Sequence, residues 1–162
     1  TLRYLARVQS MLEAYEQAEQ TLVEASQASH QLNDLGEYVA VLYERVLLGK
    51  LRQQFDDALQ FGYECLDNSR KKGSLRWEAL IKTQLGLLHQ VKEDSQKAAV
   101  LLSEGLQIFR ELGDLYEQAY SYYYLYKLYA EMSELEKSQS AKEQALVINQ
   151  QLHDPQLKER LK

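Results

Sequence analysis

The chain has 162 residues with a formal net charge of −5, 24 acidic against 19 basic, and that balance argues against a protein that tracks nucleic-acid phosphates. One proline in the whole sequence, Pro155, leaves almost nothing to interrupt helix, so the composition is that of an all-α protein. No run of 18 apolar residues is present to form a membrane-spanning helix, and Cys65, alone, can form no internal disulfide, which fits a reduced cytoplasmic setting.

Written in rows of 40, as 15–54, 55–94, 95–134 and 135–162, the sequence comes into register without a gap. One column then reads Ala18, Ala58, Ala98, Ser138, and another reads Ala25, Cys65, Gly105, Ala145. Both are small in every row, as required where two helices approach closely. Apolar columns accompany them: Leu66, Leu106 and Leu146 in one, Leu48, Leu88 and Leu128 in another.

In chain order the pattern predicts a partial helix before residue 12, then helices at about 14–33, 36–52, 55–72, 75–92, 95–112, 115–132 and 135–152, with another opening after Pro155. Turn signals stand at Asn33-Asp34, Gly73-Ser74, Gly113-Asp114 and His153-Asp154-Pro155. Residue 1 falls in the column of Val41, Ile81 and Ser121, inside a helix, so the chain reads as a piece of a longer array. The basic cluster Arg70, Lys71, Lys72 and Arg76 surrounds Gly73, where cations complement a helix C-terminus. Asp56, Asp57, Glu134 and Glu136 fall near helix starts, where carboxylates complement the opposite pole.

Little in the sequence points to catalysis. His30, His89 and His153 occupy different columns and build no metal-ligand spacing, and Cys65 lies in a small-residue column without a partnered histidine. No phosphate-binding glycine loop, nucleophile elbow or zinc-protease helix is present. The expectation is a chain with no enzyme activity, no metal and no cofactor.

The tyrosines stand out. Tyr116, Tyr120, Tyr123 and Tyr124 share one broad face of a single predicted helix, and Tyr122, Tyr126 and Tyr129 share another. For Tyr126 and Tyr129 packing between helices is the expected role; for Tyr123 and Tyr124 packing and recognition are both open.

Leu85-Gly86, His89, Ala98 and Gly105, followed one row later by Leu125, Tyr129, Ser138 and Ala145, stand at the spacings of the tetratricopeptide repeat. The sequence resembles the 40-residue tandem form of that repeat over essentially its whole length. Val46 and Tyr126 depart from the family's small residue after leucine, Arg45 from the leucine itself, and Trp77 lies earlier in its helix than the family's tryptophan. The resemblance implies one repeat domain over 1–162, a right-handed α-solenoid of about four antiparallel helix hairpins. It implies a protein- or peptide-binding module, the sensory or scaffold region of a larger bacterial signalling or transcription-regulatory protein. Carried across residue by residue, the family's concave face is Arg3, Arg7, Tyr43, Glu44, Leu47, Lys50, Thr83, Gln84, Leu87, Gln90, Tyr120, Tyr123, Tyr124 and Lys127. Of these, Tyr43, Lys50, Gln84, Tyr120, Tyr123, Tyr124 and Lys127 are the candidate partner-binding set. The family's clamp for a peptide carboxylate uses asparagine and lysine on these helices, but Asn33, Asn68 and Asn149 all stand elsewhere. Two alternatives remain open at this stage: a self-assembling adaptor, associating through the apolar faces of its terminal repeats, and a sensor of a small ligand or peptide.

Overall fold

A computed structural model of the chain describes residues 2–162. Residue 1, which the register places inside a helix, lies outside them. Among the described residues there are nine helices and no strand: α1 (Leu2–Met11), α2 (Tyr15–Gln31), α3 (Leu35–Leu51), α4 (Phe55–Lys72), α5 (Leu75–Val91), α6 (Ser95–Leu112), α7 (Leu115–Glu131), α8 (Leu135–Leu152) and α9 (Pro155–Arg160). The predicted spans agree with these to within about two residues.

The 20-residue rhythm has a backbone cause. Glu13, Asn33, Gln53, Gly73, Glu93, Gly113, Ser133 and His153 all have φ between 51° and 71°, so each turn is made by one left-handed residue that stops the preceding helix. Four of the helices then open on an aspartate cap: Asp34, Asp94, Asp114 and Asp154 each accept a backbone N–H from two or three residues on. Asn149 secures the last turn by exchanging two side-chain hydrogen bonds with the Asp154 backbone, each 3.0 Å.

The residues gather into two compact units, 1–81 and 82–162, with the division inside α5. In the first, α1 packs on α2, α2 on α3 and α3 on α4. Its core joins Ala6, Ala18, Leu22, Ala25, Val41 and Leu48. In the second, α6 packs on α7 and α7 on α8, and α9 touches α8. One cluster joins Ala98, Leu102, Leu106, Leu125, Leu128 and Ala141; another joins Ala119, Ala145, Leu157 and Leu161.

The two small-residue columns are buried in every row, and so are Leu48, Leu88 and Leu128. Each small side chain marks a helix crossing where a longer one would hold the backbones apart. Leu146 breaks the pattern of its column, being exposed where Leu66 and Leu106 are buried.

Candidate functional site

Helix α7 carries most of the candidate site. Its apolar seam, Ala119, Leu125 and Leu128, is buried in the two clusters of the second unit, and its tyrosines lie around that seam. Tyr116 and Tyr120 have ring centroids 4.8 Å apart, Tyr120 and Tyr124 6.4 Å, and Tyr123 and Tyr124 5.5 Å, all tilted. These four rings form one continuous aromatic surface, as the helical spacing predicts. Tyr120, Tyr123 and Tyr124 are half-buried, Tyr116 is exposed, and Lys127 stands exposed one turn beyond Tyr123. Gln84, on α5 in the same unit, is half-buried.

Part of this surface is already engaged. The Tyr120 hydroxyl donates to Asp154 Oδ2 at 2.9 Å, and the Arg160 guanidinium lies 5.8 Å from the centre of the Tyr123 ring. Burial raises the pKa of Tyr120 and of Tyr124 above the ordinary phenol value; hydrogen bonding to Tyr116 and Asp154 adds to the first, while the Arg160 charge opposes the second. These phenols stay protonated and act as hydrogen-bonding, polarisable contacts.

The second stripe packs as expected. Tyr126 and Tyr129 are half-buried against the core, with Lys142 and Lys137 each 5.4 Å from the respective ring centre. Tyr122 and Tyr129 also line an open groove of about 400 Å³ between α7 and α8.

In the first unit, Tyr43 and Lys50 are half-buried on α3. Tyr43 meets Trp77 with centroids 5.4 Å apart, an aromatic pair that the sequence reading missed because the two lie 34 positions apart on α3 and α5. Burial pushes the Lys50 ammonium down to about 8, which is still above neutrality, so this lysine stays mostly charged at pH 7. The arginines of the same face are held by the chain's own carboxylates: Arg7 reaches buried Glu44 at 2.6 Å, and Arg3 reaches Glu37 at 3.4 Å and Glu44 at 3.9 Å.

The remaining candidates have structural surroundings. His89 is buried with Nδ1 3.4 Å from Asp94 Oδ2. The Cys65 thiol is buried, donates to the Val39 carbonyl and is pushed up to about 12 by burial, which suppresses the thiolate. Around Gly73, Arg70 pairs with Glu78 at 3.0 Å and Lys71 with Asp67 at 2.5 Å, within the last turn of α4 or across it. Among the described residues no helix is long and apolar enough to cross a membrane.

No family model matches the chain, and no curated protein matches it in sequence. Solved structures do match in fold. BtubC (BKLC) from P. vanneervenii superposes with a TM-score of 0.87 at 24% identity, covering 96% of this chain and 63% of its own. A signal transduction ATPase with numerous domains carrying a tetratricopeptide repeat sensor, from Pyrococcus horikoshii, superposes at 0.81 and 22% identity, covering 91% of this chain and 23% of its own. The chain thus has the helical-hairpin fold of tetratricopeptide-type repeats, and it spans less than two thirds of the length of either protein.

Proposed function

We propose that the chain is a protein- or peptide-binding module, the sensory or scaffold region of a larger cytoplasmic signalling or transcription-regulatory protein of bacterial type, acting by recognition and without catalysis or cofactor of its own. The observation that carries this reading is the run of Tyr116, Tyr120, Tyr123 and Tyr124 rings, adjacent and only partly buried, on a helix whose apolar seam is fully covered. Tyrosine offers large contact area at low entropic cost and is enriched at binding hot spots. Their partial exposure leaves ring surface available to a partner. The Pyrococcus horikoshii protein, in which repeats of this fold form the sensor, supports a sensory role.

With Lys127 at its edge, the face suits an extended or helical peptide with apolar and acidic side chains. Tyr43, paired with Trp77, and Lys50, two turns further along α3, are the candidate contacts of the first unit.

Selection of a displayed random-peptide library on the chain tests the reading. Selected peptides should bind at least about 30-fold more weakly to Tyr123→Ala/Tyr124→Ala, a loss of about 2 kcal/mol, while that variant keeps its helical circular dichroism. Full affinity in the folded double variant would place recognition elsewhere.

A further inference from the structure

We infer that a small cavity in the first unit, between the turn joining α2 to α3 and the C-terminal half of α4, is a binding site for a guanidinium group, carried by a free small molecule or by an arginine side chain of a partner. None of its residues belongs to the tyrosine face of α7, so this inference and the peptide-binding reading stand or fall separately.

The cavity measures about 170 Å³ and is walled by Ser29, His30, Asn33, Asp34, Tyr38 and Asn68. A space of about 150 Å³ admits a ligand of benzene's size, so an alkylguanidinium fits. Its walls lie entirely on α2, α3, α4 and the turn at Asn33-Asp34, and each of these helices is bounded by a turn at both ends.

The repeat shows what the same columns hold elsewhere. One period on, the columns of His30 and Tyr38 contain Arg70 and Glu78, and the Arg70 guanidinium binds the Glu78 carboxylate at 3.0 Å. Two periods on, the Ser29 column holds Phe109, fully buried, and the Tyr38 column holds Gln118, whose amide donates to the Phe109 carbonyl. The Asn68 column continues as Ile108 and Ile148. In the first row, then, Ser29 and Asn68 stand in columns that later rows fill with apolar bulk, and His30 stands where the next row has its guanidinium.

The walls suit such a group. His30 and Tyr38 have ring centroids 4.2 Å apart and together present aromatic surface to a planar cation. Tyr38 donates its hydroxyl to Glu64; burial, reinforced by that bond, pushes the phenol up to about 12, so the ring stays neutral. Ser29 and Asn68 spend donors on the carbonyls of Ser26 and Glu64, each at 2.8 Å, and so offer acceptor oxygens. Asp34 takes the Glu37 N–H at 3.0 Å and brings a carboxylate to the rim. A planar cation rich in donors matches this set of rings and acceptors, and an anion does not. Lys72 opposes it: its ammonium reaches over Gly36, 2.8 Å from where a Cβ there would stand, with Asp34 Oδ1 3.3 Å from the same point.

NMR titration of the isotope-labelled chain with ethylguanidinium and with blocked arginine (N-acetyl-arginine methylamide) tests the assignment, with blocked citrulline as the uncharged control. Saturable shifts should appear at the backbone amides of residues 29–38 and 64–68 with a Kd of about 1–10 mM, and citrulline should produce none. Stronger binding of blocked arginine assigns the site to a partner's side chain, and stronger binding of ethylguanidinium assigns it to a free ligand. Asn68→Ile, which installs the residue of the later rows, should abolish the shifts while keeping helical circular dichroism. Asp34→Asn, which keeps a helix cap, should weaken binding at least about 5-fold, and Lys72→Gln should tighten it. Absence of saturation by about 50 mM overturns the inference, as do an equal response to citrulline, undiminished binding in folded Asn68→Ile and Asp34→Asn, and weaker binding in Lys72→Gln.

Discussion

A Cβ atom placed on Gly86 would stand 2.8 Å from Leu102 Cγ and 3.1 Å from its Cδ2. The two residues fill one helix crossing between them, and the other rows divide the same space differently. Ala6 lies in one cluster with Leu22, Val46 stands at the position answered by buried Gly62, and Tyr126 has the Lys142 ammonium over its ring. The total volume at the crossing is shared between a residue of one helix and its partner 16 positions later.

Gly86→Ala should therefore destabilise the chain by about 1–3 kcal/mol through overpacking, and Leu102→Ala by about 2–5 kcal/mol through a cavity. The double substitution should cost measurably less than the sum, with a coupling of at least about 0.5 kcal/mol, because each change relieves the other. Urea denaturation of the four proteins measures this. Strict additivity would show that the two side chains do not share the space.

Ser121 is buried and its hydroxyl finds no hydrogen-bond partner, in a column where the other rows place buried Val41 and Ile81. Ser121→Val removes an unsatisfied polar group and restores apolar volume, so it should raise stability by about 1 kcal/mol. A fall in the denaturation midpoint would mean that the hydroxyl holds a water that valine expels.

The repeat and its small-residue columns were legible in the sequence because a helix crossing tolerates few side chains, and Ala18, Ala58 and Ala98 obey that constraint one row after another. Turns were legible by halves. Gly73 and Gly113 announce a left-handed residue, whereas Gln53 and Glu93 adopt the same φ with no composition signal at all. The departures at Val46 and Tyr126 became intelligible only with their partners at positions 62 and 142 in view. In the candidate site the tyrosines of α7 were visible as a periodic face. The contacts of Tyr120 with Asp154, Tyr123 with Arg160, Tyr43 with Trp77 and Arg7 with Glu44 were not, because each joins different helices and depends on side-chain direction that spacing along one helix does not carry.

The turn residues give a third expectation. Gly113 has φ +69° and nothing within 4 Å of an added Cβ, so Gly113→Ala costs only backbone strain, about 1–2 kcal/mol. His153, in the same turn column at φ 55°, should respond in the opposite sense: His153→Gly relieves strain and should be neutral or stabilising. Thermal melts of the two variants check the pair. Equal destabilisation by both would mean that the imidazole of His153 contributes more than its backbone costs.

The last expectation concerns acid. Burial lowers the pKa of His89 below its ordinary 6.5, Lys97 lowers it further, and Asp94 partly opposes the shift. The folded state therefore disfavours the protonated imidazole more than the unfolded chain does, so unfolding takes up a proton. The stabilisation is fully present above pH 6.5 and is lost as pH falls through the lowered folded value. Melting temperature should decline between pH 7.5 and 5.5, and His89→Gln, which cannot titrate, should flatten that decline while lowering stability at pH 7.5. Asp154 is also shifted downward, chiefly by the Leu157 backbone N–H, but from an ordinary value of 3.8, so it acts in a lower window and does not confuse the comparison. Parallel melting curves for the parent and His89→Gln across this range would remove His89 as the titrating group.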